Sequence, residues 1–164
     1  MTASVGVVVP LYNGQDTITS ALASLATQTR RPDHVVVVDD GSTDDGAGLV
    51  EAWSPRLPLT LIRHASNRGL AATRCTAIDA LDTDLIALLD ADDVWLPDGL
   101  ELLTTTFSRH GGLVSGNGLR WISAAALSRS DWHLRRPIPA PADQLRQLAI
   151  QNFVFIGSLF RRSA

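Results

Sequence analysis

Residues 85–93, LIALLDADD, contain the pattern that is most informative about the fold. A short apolar stretch is followed at once by a cluster of carboxylates. The first five residues are uniformly apolar, which is typical of a strand buried on both faces of a sheet. The same arrangement occurs upstream, where the valines of residues 35–38 run into the acidic turn DDGS, residues 39–42. Two strands with this design predict an acidic edge on a largely parallel sheet.

Apolar strands alternate with helical patterns along most of the chain. We predict strands at residues 5–9, 35–38, 59–62 and 85–89. We predict a first helix with Ile18, Leu22, Leu25 and Ala26 on one face, helices at about residues 44–53 and 70–81, and a fourth from residue 97 onward. A strand–helix unit repeated four times predicts an α/β fold with a mostly parallel sheet and helices on both faces.

Local signals place the ends of two of these helices. Asp16 precedes the first helical pattern and is predicted to cap it. Pro97 is predicted to occupy the first position of the fourth helix, with Asp98 and Glu101 in its first turn.

The pattern becomes shorter after residue 111. We predict short strands at residues 113–115 and 121–122 and a proline-rich connection at residues 137–141. A helix at residues 142–150 and a strand at residues 153–160 complete the predicted elements.

Composition excludes several classes of protein. A length of 164 residues suits one domain, and a formal net charge of -3 argues against a nucleic-acid-binding surface. No run approaches the roughly 18 apolar residues of a membrane span, and the amino terminus lacks the basic region of a signal peptide. The single cysteine, Cys75, excludes an intrachain disulfide. Because the sequence contains no lysine, a bound phosphate would have to be held by arginine, backbone N–H groups or a metal ion.

Polar residues accumulate after the predicted strands, at the edge where open α/β sheets bind their ligands. They are Tyr12, Asn13, Asp39, Asp40, Asn67, Arg68, Asp90, Asp92 and Asp93. Carboxylates crowded at one edge repel one another unless a proton or a cation neutralises them. Hard divalent ions such as Mg²⁺ or Mn²⁺ suit carboxylate oxygens and bind substrate phosphates in the same coordination shell.

Each of these motifs also has a structural interpretation. The acidic turn at residues 39–44 could serve only as a tight turn and helix cap. The D-x-D pattern of Asp90 and Asp92 occurs by chance in many sequences. Tyr12 could be a surface turn residue, and Arg74 a solvated arginine on a helix.

Four blocks of sequence, taken in order, resemble the family 2 glycosyltransferases of GT-A fold. They are VVVPLYNG (residues 7–14), VVDDGSTD (37–44), NRGLAATR (67–74) and LLDADDVWLPD (88–98). The resemblance implies a Rossmann-like GT-A sheet and an inverting, metal-assisted transfer of a sugar from a nucleoside diphosphate, expected to be UDP, to an acceptor hydroxyl. It assigns residues 1–110 to βα repeats that bind the nucleotide sugar and end in the D-x-D helix. Residues 111–164 would begin the acceptor-side region of the same domain.

The resemblance implies a nucleoside-binding set of residues after the first two strands. Tyr12 would stack on the base, and Asp40 would accept a hydrogen bond from it with help from Asp39. Pro10 would place its backbone carbonyl near the nucleoside, and Asn13 belongs to the same donor-binding loop.

A second set would hold the diphosphate and a Mn²⁺ or Mg²⁺ ion. Arg74 resembles the family arginine that reaches the diphosphate. Asp90 and Asp92 match the family's D-x-D, with Asp92 as the direct metal ligand and Asp90 nearer the ribose, where it also contributes to the metal site. Asp93 would substitute or assist as a ligand.

The resemblance also implies a feature that this sequence lacks. Inverting members take the acceptor's proton with a carboxylate that lies just past a segment like GSLFRRS, residues 157–163, and the sequence ends at Ala164. Neither Asp131 nor Asp143 lies in a similar context, so the catalytic base is unassigned. We therefore expect a C-terminally incomplete chain that binds donor and metal, with a saccharide, lipid-linked or protein acceptor. We expect a cytoplasmic location, at the inner membrane surface if a larger parent protein attaches there.

Three other functions compete with this interpretation. The D-x-D after an apolar strand also fits a haloacid-dehalogenase-type phosphatase with Asp90 as nucleophile, but that family carries the motif on its first strand. A nucleotidyltransferase would need a glycine-rich first loop, and residues 10–14 contain one glycine. A non-catalytic nucleotide-binding module would be compatible with the missing base.

Overall fold

The computed structural model describes residues 3–115, 119–123, 126–129 and 157–163. The helices in these ranges are α1 (Ile18–Ala26), α2 (Gly46–Glu51), α3 (Leu70–Asp79) and α4 (Gly99–His110). The strands are β1 (Val5–Leu11), β2 (His34–Asp39), β3 (Leu59–Arg63), β4 (Leu85–Leu88), β5 (Val114–Ser115), β6 (Leu119–Ser123), β7 (Ala126–Arg129) and β8 (Ser158–Arg161). All four predicted strand–helix units are therefore present.

Six strands form one mostly parallel sheet in the order β3-β2-β1-β4-β8-β5. The first four are parallel, with Val7 opposite Val35 on one side and opposite Ala87 on the other. β8 pairs antiparallel with β4 and with β5, while β6 and β7 form a separate hairpin. The central position of β1 brings the carboxyl ends of β2 and β4 to either side of its own.

The uniformly apolar strands are explained by helices on both faces of the sheet. Alternate strand residues such as Val7 and Val37 pack in a large core that also holds the apolar faces of α1 and α4. Their neighbours Val8, Val36 and Val38 point to the opposite face and pack with residues of α3 and the residues that follow it. Both faces of these strands are therefore covered, and the side chains that follow each parallel strand lie at the carboxyl edge of the sheet.

The structure corrects the predicted helix starts. Asp16 does not cap α1: the N-cap residue is Thr17, and the Gly14 carbonyl accepts the Ile18 N–H at 3.0 Å. Pro97 does not open α4, because the helix begins at Gly99 and the Pro97 carbonyl accepts the Thr29 N–H at 2.8 Å. The first free N–H groups of both helices have other acceptors: the Gly14 carbonyl accepts that of Ile18, and the Gln28 side chain accepts that of Leu100.

α2 is shorter than its predicted range of 44–53. Asp44 stays outside the helix because its carboxylate accepts the N–H groups of Gln15, at 2.9 Å, and Gly46, at 3.0 Å. The α3 pattern likewise ends at Asp79, two residues before the predicted end.

Later predictions are only partly covered by the structure. The predicted strands at 113–115 and 121–122 correspond to β5 and β6, and the last predicted strand overlaps β8. The predicted helix at 142–150, the connection at 137–141, Asp131 and Asp143 lie outside the described residues. Within the described ranges, no helix has the length and apolar character needed to cross a membrane.

Candidate functional site

The carboxyl edge of the sheet carries most of the predicted site residues. Pro10 is the penultimate residue of β1, and Tyr12 follows that strand with 53% of its surface exposed. Asp39 ends β2 and Asp40 follows it, both buried. Because β1 lies between β2 and β4, the turn after β4 that contains Asp90 opens at the same edge.

Asn13 connects the loops after β1 and β2. It adopts a left-handed backbone conformation, with φ of 49°, which asparagine tolerates better than most residues. Its N–H donates to the Ser42 hydroxyl at 2.9 Å, and its amide oxygen accepts the Thr43 N–H at 2.9 Å and the Thr43 hydroxyl at 3.2 Å. With its amide oxygen engaged in this way, Asn13 holds the loop that presents Tyr12.

Asp40 is the centre of a buried hydrogen-bond network. One carboxylate oxygen accepts from Nδ1 of His64 at 2.6 Å and from the Arg68 N–H at 2.9 Å, and the other accepts the Gly69 N–H at 2.8 Å. Burial by itself would raise the pKa of Asp40, but these bonds and a contact with Thr73 hold that pKa below its ordinary value. Asp40 is therefore an ionised anchor for the loop between β3 and α3.

Asp39 makes fewer hydrogen bonds than Asp40 among the described residues. One of its oxygens accepts the Ser42 N–H at 3.0 Å, which closes the acidic turn. Gly41 in that turn has φ of +74°, and a Cβ there would lie 2.8 Å from the Ser66 carbonyl carbon. The turn after β2 and the loop after β3 therefore approach so closely that only glycine fits without displacement.

Arg74 forms an ion pair with the acidic turn after β4. Its Nη2 donates to Asp90 Oδ1 at 2.8 Å, and both side chains are partly exposed. Its Nε is buried and has no hydrogen-bond partner among the described residues. The helical position of Arg74 thus brings a guanidinium to the same edge as the D-x-D carboxylates.

The three aspartates after β4 differ in their surroundings. Asp90 is paired with Arg74, Asp92 is exposed, and Asp93 is half-buried in a turn where its N–H donates to the Asp90 carbonyl at 3.0 Å. Burial raises the pKa of Asp93, and the charges of Asp92 and then Asp90 raise it further. The turn therefore holds negative charge that nearby side chains only partly compensate.

These residues fit a divalent ion that is shared with a ligand. No three His, Cys, Asp or Glu side chains in the described part of the chain are arranged as a complete metal-binding group. Mg²⁺-type ions are usually held by one or two carboxylates together with waters and substrate phosphates, rather than by a cage of protein ligands. The acidic turn offers carboxylates of that kind, and Arg74 places beside Asp90 a guanidinium, a group that can bind phosphate.

Sequence reasoning missed His64 as a site residue. Its ring is almost fully buried between Asp40 and Thr76, whose hydroxyl lies 3.0 Å from Nε2. The available signal was its position: it follows β3 directly, at the edge where the other polar residues accumulate.

The sequence matches the family model for glycosyl transferase family 2 over residues 6–164. The succinoglycan biosynthesis protein ExoU of Rhizobium meliloti is 35% identical over 157 residues, which cover 95% of this chain and 43% of ExoU.

Two solved structures are similar to the fold. S. aureus TarS residues 1–349 in complex with UDP superposes with a TM-score of 0.74 at 22% identity, over 98% of this chain and 47% of that one. The mannosyltransferase PcManGT from Pyrobaculum calidifontis, in complex with GDP-Man and Mn²⁺, has a TM-score of 0.66 at 32% identity. That match covers 70% of this chain and 35% of PcManGT. The chain thus has a GT-A fold, and it spans about half the length of the curated relatives it matches.

Proposed function

The chain belongs to glycosyl transferase family 2, and from this premise we propose that it forms the donor-binding side of an inverting, metal-assisted sugar transferase. The observation that carries the proposal is the 2.8 Å ion pair between Arg74 and Asp90. It joins the cation expected to bind a diphosphate to the carboxylates expected to bind a metal ion. Family membership also removes the phosphatase and nucleotidyltransferase interpretations.

The donor is proposed to lie along the carboxyl edge of the sheet. Tyr12, exposed on a loop that Asn13 braces, offers a flat surface on which a base can stack. Asp39 lies at the end of the neighbouring strand and offers a carboxylate oxygen to the N–H of a base, UDP being the proposed nucleotide. Asp40, whose oxygens are bonded to His64 and to the loop after β3, is proposed to hold that side of the nucleoside site in place. Pro10 contributes backbone beside them.

The diphosphate is proposed to bind between Arg74 and the turn after β4. Asp92 is the proposed direct ligand of a divalent ion, Mn²⁺ or Mg²⁺, with Asp90 and Asp93 completing the negative charge. The bound ion would supply positive charge that stabilises the nucleoside diphosphate as a leaving group. The complex of PcManGT with GDP-Man and Mn²⁺ supports both the metal and a nucleotide-sugar donor.

The acceptor side requires a further group. Direct displacement with inversion needs a base that removes the proton of the attacking hydroxyl. The aspartates of both acidic clusters already have donor-side roles in this proposal, so we expect another segment to supply the base. The name of ExoU, a succinoglycan biosynthesis protein, supports a saccharide acceptor.

Calorimetric titration of the 164-residue chain with UDP, and with GDP for comparison, tests the donor site with and without Mn²⁺. We expect Mn²⁺ to tighten UDP binding at least about tenfold, equivalent to ~1.4 kcal/mol. Asp92→Ala should remove that gain, whereas Asp82→Ala, an exposed aspartate at the opposite edge, should retain it. Folded protein that binds neither nucleotide would refute the donor site, and tighter binding of GDP would reassign the base.

A further inference from the structure

The segment that follows the acidic turn is bound to the end of α1 by two buried side chains. The Gln28 Nε2 donates to the Leu96 carbonyl at 2.8 Å, and its Oε1 accepts the Leu100 N–H at 2.9 Å. The Ser24 hydroxyl oxygen accepts the Trp95 N–H at 3.2 Å. Gln28 and Ser24 are only 4% and 5% exposed, so solvent cannot easily replace these bonds.

Gln28 acts as a helix cap from another part of the chain. The first N–H groups of a helix have no partner within it, and the N-cap side chain usually accepts one of them. The N-cap residue of α4 is Asp98, whose side chain makes no capping hydrogen bond within the described residues. Gln28, which lies 72 positions before Leu100, accepts that N–H instead.

The orientation of the Gln28 amide is set by its three bonds. Besides its contact with Leu96, Nε2 donates to the Ser24 carbonyl at 3.0 Å, so the amide group has partners on both its nitrogen and its oxygen. Reversing the amide would place donors against the Leu100 N–H and an acceptor against two carbonyls. This position therefore requires the amide group of a glutamine, and not only a side chain of the same volume.

The acidic turn is thereby fixed at both ends. On one side the Leu89 N–H donates to the Val8 carbonyl at 3.0 Å, which ties the turn to the central strand. On the other side Trp95 is held by Ser24. Only residues 90–94 lie between these attachments, so the positions of Asp92 and Asp93 depend on both of them.

We propose that Gln28, assisted by Ser24, is a positioning residue that keeps Asp92 and Asp93 at the spacing required to take a divalent ion together with the nucleotide. The proposal rests on the donor site proposed above. Repulsion among the carboxylates of the turn favours its opening, and the hydrogen bonds of Gln28 oppose that opening when no cation is bound. Gln28 itself touches neither ligand.

Gln28→Met tests this role because it preserves the length and volume of the side chain while removing both polar groups. We expect Mn²⁺-dependent UDP binding to weaken about 10–100-fold, the usual effect of losing a group that orients metal ligands. UDP affinity measured without metal should stay unchanged, a separation that a general loss of stability would not produce. Thr83→Val is the matched control: it removes a buried hydroxyl that donates to the Leu85 carbonyl, at 3.0 Å, at the other end of β4.

Hydrogen exchange provides a readout that needs no ligand. In Gln28→Met the Leu100 amide should exchange faster, while amides in β1 and β2 keep their protection. Ser24→Ala, a milder change, should weaken the metal-dependent binding in the same direction by a smaller factor.

The outcomes separate the two proposals. If wild-type protein shows no Mn²⁺-dependent UDP binding, the donor-site proposal fails and the role of Gln28 fails with it. If the wild type shows that binding and both Gln28→Met and Ser24→Ala retain it in full, only the positioning role is overturned. Loss of binding in Thr83→Val to the same extent would also overturn it, because the effect would then follow from stability.

Discussion

Replacing Asp40 with asparagine should destabilise the fold far more than the same change at its neighbour. Asp40 accepts three hydrogen bonds, from His64, the Arg68 N–H and the Gly69 N–H. An asparagine has one acceptor oxygen, so either the Gly69 N–H or the pair of donors on the other side must face an amide NH₂. One buried donor left unsatisfied costs about 1–3 kcal/mol.

The bonds that survive in Asp40→Asn are also weaker. Hydrogen bonds to a charged group contribute about twice as much as neutral ones, so losing the charge removes roughly 1 kcal/mol from each. Together with the unsatisfied donor, we expect the free energy of unfolding to fall by about 3–5 kcal/mol. For a chain of this length that corresponds to a decrease in Tm of roughly 6–20 °C.

The effect of Asp40→Asn should depend on pH with a defined sign. The pKa of Asp40 is lowered in the folded state from the ordinary value of 3.8, so its ionised form stabilises the fold above that value. That stabilisation is lost as the pH falls through the lower, folded pKa. The difference between wild type and variant should therefore shrink as the pH falls below about 4.

Urea unfolding followed by circular dichroism measures the free energies. Asp39→Asn is the matched control, because its one described bond, from the Ser42 N–H at 3.0 Å, can be kept by the asparagine oxygen. If Asp40→Asn lowers the free energy of unfolding by less than about 1 kcal/mol, the usual net contribution of one hydrogen bond, the network as described would be refuted. A difference that grows in acid would refute the assigned sign.

Two further predictions concern Arg74 and Gly41. Arg74→Lys should weaken UDP binding about 10–100-fold in the titration described above, since a lysine cannot contact Asp90 and a phosphate through the same planar group; unchanged affinity would exclude Arg74 from the donor site. Gly41→Ala should lower the free energy of unfolding by about 2–4 kcal/mol, because a positive φ is unfavourable for alanine and the new Cβ would meet the backbone of the β3–α3 loop. Gly112 also has φ of +74°, but an added Cβ there would have no atom within 4 Å, so Gly112→Ala should lower the free energy of unfolding only by the cost of the backbone conformation, about 1–2 kcal/mol. Equal decreases for the two variants would mean that close packing at Gly41 is unimportant.

The parts of the fold that could be predicted are those with a local cause. A strand such as β2 carries four consecutive buried valines, at residues 35–38, because both of its faces are covered. The site residues at strand ends were predictable for the same reason, since parallel strands place their carboxyl ends together. Tyr12, Asp39 and Asp90 accordingly lie where the pattern indicates.

The parts that could not be predicted depend on partners distant in the sequence. In the sequence, Gln28 is an ordinary polar residue after a helix. Its hydrogen bonds to Leu96 and Leu100 exist only in the folded chain, so no local pattern predicts them. The failed prediction that Pro97 opens α4 has the same origin: propensity favours it at a helix start, but its carbonyl is bound by Thr29. β8 is likewise an antiparallel insertion that no local pattern distinguishes from a parallel strand.

The pKa of Asp40 is lowered and that of Asp93 is raised, so the two carboxylates have opposite effects on stability when they are ionised. This difference predicts which of the two regions a bound ligand stabilises more. Asp40 already accepts its hydrogen bonds and has a lowered pKa, so the proposed nucleoside side is ordered without a ligand. The raised pKa of Asp93 has the reverse consequence: its charge destabilises the folded state at neutral pH, and protonation between that raised value and the ordinary 3.8 relieves the cost. A cation at the turn after β4 would relieve the same cost at neutral pH. Metal should therefore protect the turn and the start of α4 from hydrogen exchange while leaving the network around Asp40 unchanged.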